Sequence, residues 1–139
     1  MTQHLQKDLI RLEQELLAQS SVVEETIRKA ARGLREVRGD LAADILANEP
    51  EVNRREILIE EECLKVLALH QPVAVDLRRV TTVLKVNGEL ERIGDLASNI
   101  AKRTQSLLSF PGFPVPGKLD EMSSLATRMV HQSLDALVN

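Results

Sequence analysis

The stretch Glu89-Leu-Glu-Arg-Ile-Gly-Asp-Leu-Ala-Ser-Asn99 decides how this chain is read. Its apolar members Leu90, Ile93 and Ala97 recur at steps of three and four, the spacing that gathers side chains on one face of an α-helix. Extended in both directions, the pattern predicts a long helix from about Val73 to Leu108. Its expected buried stripe is Val83, Val86, Leu90, Ile93, Ala97, Ile100 and Leu107, with Thr104 on the same spacing. Gly88 and Gly94 lie inside it. Each costs about 1 kcal/mol relative to Ala in a helix interior, so each requires a packing or access reason.

The flanking sequence repeats this logic. Leu5, Leu9, Leu12, Leu16, Val23, Ile27, Ala30, Leu34 and Val37 predict a first helix from about Gln3 to Val37, with one gap at polar Gln19. The mean step is near 3.5, which favours the shallow crossing of a left-handed bundle. Gly39 reads as the stop and Asp40 as the next cap. Asp40 to Ala47 reads as a short amphipathic segment, interrupted at Asn48-Glu49-Pro50. Pro50 then opens a helix to about His70 with Val52, Ile59, Cys63 and Val66 on its apolar face, closed by Gln71-Pro72. Three prolines and two glycines between Phe110 and Gly117 mark a linker, and a last helix starts near Lys118. Met122, Leu125, Met129, Leu134 and Leu137 give that helix an apolar face. Either the chain stops early relative to its architecture or this helix meets a partner chain, or else it packs back as a fourth bundle helix; a homo-oligomer is expected. Val23-Glu-Glu-Thr-Ile27 and Val130-His-Gln-Ser-Leu134 echo one another weakly. The fold class is therefore all-α: a three-helix antiparallel bundle with an additional C-terminal helix.

Composition narrows the function classes. The chain has 139 residues, a hydrophobic fraction of 43%, two Phe, and no Tyr or Trp, so aliphatic side chains must fill the core. Eighteen basic against 21 acidic residues leave a net charge of -3, with no basic footprint for nucleic acid and no aromatic platforms for bases. No apolar run approaches a membrane span. Thr2-Gln3-His4 after Met1 do not read as a secretory leader. The single Cys63, on an apolar face, reads as a core residue and fits a reducing cytoplasm. No phosphate loop, nucleophile elbow or Ser/His/Asp pattern is present.

The chemistry that remains is oxygen. Glu91, Asp95 and Asn99 follow one another at four-residue steps and form one row on the third helix. On the second, Glu49, Asn53, Glu56 and Glu60 fall within roughly 60° of one another at 100° per residue. Measured from the expected apolar stripe, Glu91 and Asp95 point away by roughly 130° or more, toward the outer surface. A buried di-iron centre needs Glu-x-x-His, which is absent, and zinc needs a Cys/His cluster. Oxygen rows suit a hard ion: magnesium, calcium, manganese or ferric iron. A solvated acidic face, paired locally with residues such as Arg92, explains the same pattern. Arg54-Arg55 and Arg78, Arg79 and Lys85 read mostly as solvated basic faces, with a phosphate or phosphoprotein contact as the alternative.

Four segments taken together resemble the PhoU family of phosphate-uptake regulators: Glu49-Pro-Glu-Val-Asn53, Glu60-Glu-Glu-Cys63, Gln71-Pro-x-Ala-x-Asp-Leu-Arg78 and Glu89-Leu-Glu-Arg-Ile-Gly-Asp95. The resemblance implies two three-helix repeats, of which residues 1–109 would be the first, 110–117 the linker and 118–139 the opening helix of an incomplete second. It implies metal sites at Glu/Asp-x-x-x-Asp motifs, here Glu91 with Asp95 and Glu49 with Asn53, where an amide replaces a carboxylate; Glu60 and Asn99 are further candidates. It implies a cytoplasmic, non-enzymatic regulator of phosphate uptake and the phosphate-starvation response that docks on the phosphate ABC transporter ATPase and a sensor histidine kinase. A metal-dependent hydrolase and a plain helical oligomerisation module are the competing readings.

Overall fold

The computed structural model describes residues 2–138; Met1 and Asn139, the ends of the expected domain spans, lie outside them. The described residues form four helices: α1 (Thr2–Glu36), α2 (Gly39–His70), α3 (Ala74–Leu107) and α4 (Lys118–Val138). Helices α1 to α3 make the antiparallel bundle, and α4 is the additional helix beyond the Pro/Gly linker.

The turns show why the helices stop where they do. At the end of α1, Arg38 N–H donates to the Gly33 carbonyl (2.8 Å) and Val37 N–H to the Leu34 carbonyl (3.4 Å). Val37 takes a left-handed φ of 51°. This is a Schellman closure built on a β-branched residue, where glycine is normally preferred. Gly39 is therefore not the stop signal. It opens α2 itself, and its missing Cβ leaves room for Leu108, whose Cδ1 lies 2.7 Å from where a Cβ would sit. At the end of α2, Gln71 (φ 45°) donates to the Leu67 carbonyl at 3.1 Å, the one-bond left-handed cap.

Helix α2 corrects a second expectation. Pro50 does not start a new helix; α2 runs unbroken through it from Gly39 to His70. The proline ring is exposed, and the one bond it withholds would have gone to the Leu46 carbonyl. A long amphipathic helix fixed by its apolar seam on both sides of the proline tolerates that loss.

The buried seams follow a strict 3,4 alternation. On α1 it reads Leu9, Leu12, Leu16, Gln19, Val23, Thr26, Ala30, Gly33, with Thr26 half-buried. On α2 it reads Ala42, Ile45, Glu49, Val52, Glu56, Ile59, Cys63, Val66, with Glu49, Val52 and Glu56 half-buried. On α3 it reads Val80, Val83, Asn87, Leu90, Gly94, Ala97, Ala101, Thr104, with Gly94 half-buried. A 3.5-residue period gives left-handed bundle packing, as the first helix alone suggested. The α3 seam is rotated from the expected stripe, however. Val86, Ile93 and Leu107 are only half-buried and Ile100 is exposed, while Asn87, Gly94 and Ala101 hold the seam.

Two compact units emerge. The first comprises the described residues up to Ser21 together with Pro50–Arg92. Its core is large and aliphatic: Leu9, Leu12, Leu16, Ile59, Val66, Val80, Val83 and Leu90, with Cys63 fully buried. Polar bonds align its helices. Gln19 Nε2 donates to the Val52 carbonyl (3.0 Å) and Asn87 Nδ2 to the Glu56 carbonyl (2.9 Å). His70 Nε2 meets Asp8 at 2.8 Å, and Arg79 donates to Glu13 (2.7 Å) and Gln6 (2.9 Å). Arg79 thus belongs to a structural network and not to a solvated face.

The second unit comprises Val22–Glu49 and the described residues from Ile93 onward. Its core is built from small residues: Ala30, Ala42, Ala97 and Ala101 around Ile45, with Leu46 packed against them. Alanines let helix backbones approach closely, at the expense of apolar area. In this unit α4 lies along α1. Arg35 donates to Asp120 (2.7 Å), and His131 Nδ1 lies 3.1 Å from Glu24. Of the sequence readings of α4, packing back is the one seen; Met122, Leu125 and Met129 nonetheless remain 62%, 49% and 68% exposed.

Candidate functional site

The oxygen row of α3 is built by its helix. Glu91, Asp95 and Asn99 occupy successive turns within Ala74–Leu107, so their spacing is fixed by the backbone. Their burial differs from the sequence expectation. Glu91 and Asp95 are half-buried, and only Asn99 is exposed. The rotated seam is the reason. Measured from the centre of the Leu90/Gly94 seam, Glu91 lies at about 80° and Asp95 at about 120° around the helix, nearer the packed face than expected. Neither is fully buried.

On α2 the row divides. Glu49 and Asn53 are half-buried and Glu60 is exposed. Glu49 and Glu56 occupy seam positions, so two members of the acidic row lie in the packing stripe itself. Glu51, between Glu49 and Asn53 but off their row, is tied to Arg54 at 2.7 Å, and that hydrogen bond holds its carboxyl below the ordinary value.

The donor chemistry and the geometry point in different directions. Carboxylate and amide oxygens suit a hard cation. Yet among the described residues no three His, Cys, Asp or Glu side chains converge to hold a metal ion. The side chains present do not form a preassembled cage, and Asn53 adds an amide where a charge is wanted. Cys63 is no nucleophile: burial pushes its thiol up to about 11, with Glu15, Glu60 and Glu62 adding to the effect.

Two grooves accompany these rows. In the first unit a cavity of about 400 Å³ is bordered by Arg11, Arg54 and Arg55, by Glu15 and Glu62, and by Gln19. In the second unit a basic groove of about 510 Å³ lies between α1 and α4. The sequence reading passed over the second groove, although Arg28, Arg32 and Arg35 at 0, +4 and +7 already signal a one-sided arginine row.

Fold and site together define a class: a heptad-packed, all-helical protein that displays acidic rows on two of its helices. Comparison with known proteins narrows the class. The PhoU domain matches residues 16–104. A PhoU homolog of Aquifex aeolicus, a phosphate-specific transport system accessory protein, is 31% identical over 132 residues, covering 95% of this chain and 60% of the relative. The crystal structure of PhoU from Pseudomonas aeruginosa superposes with a TM-score of 0.92 at 32% identity, covering 96% of this chain and 64% of that one. The phosphate transport system regulatory protein PhoU from Streptococcus pneumoniae superposes with a TM-score of 0.87 at 30% identity, covering 95% and 62%. The chain belongs to the PhoU family. It spans about half to three fifths of the length of the curated relatives it matches.

Proposed function

We propose that this chain is a non-enzymatic, cytoplasmic regulator of phosphate uptake and the phosphate-starvation response, acting by docking on the phosphate ABC transporter ATPase and a sensor histidine kinase. The observation that carries this reading is the PhoU match across residues 16–104, joined to relatives named as phosphate-specific transport system accessory proteins. Long rigid helices with polar outer faces support a docking role. Among the described residues no helix is long and apolar enough to cross a membrane, so contact with a transporter would run through its water-facing parts. The exposed row Met122, Leu125 and Met129 on α4 supports a homodimer in the same reading.

Within that reading, Glu91 and Asp95 are the residues we assign to a hard cation, with Glu49, Asn53, Glu60 and Asn99 as weaker donors. Few protein ligands per ion leave water to complete the shell, which makes binding weak. The hydrolase alternative requires an activated water in a water-excluding site.

The deciding experiment expresses the chain in a bacterium lacking its own PhoU and measures a phosphate-starvation reporter in high phosphate. Restored repression, with capture of the transporter ATPase or the kinase by the purified chain, supports the proposal. Unchanged derepression, together with phosphomonoester turnover that Glu91→Ala abolishes, replaces it with the hydrolase.

A further inference from the structure

The groove between α1 and α4 in the second unit carries a chemistry that the acidic rows do not. Arg28, Arg32 and Arg35 project from one face of α1, and Arg128 and His131 border the same groove from α4. Ser124 adds an exposed hydroxyl, and Asp120 is the one carboxylate on the lining. The arginines are about half exposed: 51%, 54% and 50% for Arg28, Arg32 and Arg35. Their carboxylate partners are Glu24 and Glu25 for Arg28, Glu36 for Arg32 and Asp120 for Arg35. The pairs with Glu25, Glu36 and Asp120 are exposed on both sides, and such pairs are weak and readily exchanged; Glu24, at 14% exposure, is the firmer partner. Arg128 has no ion-pair partner among the described residues.

We propose that this groove binds a small anion of two or more linked phosphoryl groups. Guanidinium groups recognise phosphoryl oxygens bidentately, and a clustered set is the usual way a protein holds them. Size selects a chain over a single phosphate. Arg28 to Arg35 spans seven residues, about 10 Å along the helix axis, too long for one phosphoryl group to bridge. The 510 Å³ of the groove is likewise in the range of small-molecule sites. No Phe, Tyr or Trp borders the groove, and its one aromatic ring, His131, is held by Glu24 and Asp135, so no free aromatic platform faces a base. Recognition therefore rests on the phosphoryl chain, whether free or part of a nucleotide. The site is separate from the acidic rows, and its α4 half lies beyond residues 16–104, so it stands independently of the functional reading above.

Isothermal titration of the full chain with tripolyphosphate, pyrophosphate, orthophosphate and ATP, in metal-free buffer of low ionic strength, tests this. Tripolyphosphate is expected to bind at least about tenfold more tightly than orthophosphate, and ATP within about threefold of tripolyphosphate. Arg128→Glu is expected to weaken tripolyphosphate binding by about tenfold or more, and Arg32→Gln by about threefold. Lys85→Glu makes the same charge change at an exposed site on α3 and should leave affinity within about twofold. Circular dichroism checks that each variant is folded; Arg128, exposed and unpaired, has little to do with folding. The proposal is overturned by equal affinities for orthophosphate and tripolyphosphate. It is overturned equally by matching losses in Arg128→Glu and Lys85→Glu, by the absence of saturable binding, or by ATP binding more than about tenfold tighter than tripolyphosphate.

Discussion

Gln19 sits in the α1 seam at 3% exposure, and only half of its amide is satisfied. Its Nε2 donates to the Val52 carbonyl, while its Oε1 is buried without a partner among the described residues. The amide cannot be turned over to relieve this, because the nitrogen must face a carbonyl. Replacing Gln19 with Met keeps the length and flexibility of the side chain and removes both polar atoms. Three effects follow. The lost hydrogen bond costs about 1 kcal/mol, and it leaves no orphan behind, since the Val52 carbonyl keeps its helical bond from Glu56. Removing the unpartnered oxygen returns about 2 kcal/mol of desolvation penalty. Burying apolar atoms in its place adds about 1 kcal/mol. The net is about 2 kcal/mol of added stability. For 139 residues the unfolding entropy is roughly 0.3 kcal/mol/K, so Tm should rise by about 7 °C. Thermal unfolding by circular dichroism, with urea titration to check that the m-value is unchanged, measures this. A Tm that falls, or stays put at constant m, refutes the premise that Gln19 carries an uncompensated buried oxygen.

Val37→Gly should stabilise the chain by about 1 kcal/mol, because glycine fits the φ of 51° that valine adopts under strain; a lower Tm would show that the valine side chain contributes more by packing than its backbone costs. Cys63, fully buried, should stay unreactive toward a disulfide reagent at pH 8 until the protein unfolds. Its folded value near 11 lies above the unfolded value near 9, so the native state holds the proton longer. Stability from this group is whole below pH 9 and is lost as pH rises toward 11, which urea titrations across that window should show as a falling midpoint and which Cys63→Ala should flatten. The rotated α3 seam predicts that Ala101→Leu, a forced overpacking, costs about 1–3 kcal/mol while Ile100→Ser costs less than about 1; the reverse order would restore the Val86/Ile93/Ile100 stripe.

Much of the fold was legible because it is carried by spacing. Helix extents came from apolar steps of three and four. The linker came from its prolines, and the burial of Cys63 from its neighbours. The failures share one cause: small and polar residues were read by their local preference when packing had assigned them another task. Pro50 read as a helix start, but the apolar stripe on either side of it carries the helix through. Gly39 read as a stop, but the left-handed turn falls on Val37, and the glycine makes room for Leu108. On α3 the larger side chains Val86, Ile93 and Ile100 drew the stripe to themselves. The actual seam runs through Asn87, Gly94 and Ala101, residues that hydropathy does not flag. That one rotation also explains the site. With the seam shifted toward them, Glu91 and Asp95 are half-buried, so the row was legible in position and not in exposure.

The acidic row of α2 links the fold to its use. Glu49 and Glu56 stand at seam positions, where the 3,4 pattern asks for an aliphatic side chain and where Val52 between them supplies one. A leucine there would bury more apolar area, so the 3,4 pattern alone does not account for these residues. The same holds for Asn87, whose Oδ1 is buried without a partner among the described residues, and for Gly94, which has open space where a Cβ would be. Single polar residues in a heptad seam set register at the expense of stability. The seam carboxylates Glu49 and Glu56 are therefore departures from the 3,4 rule and not members of a simple solvated face.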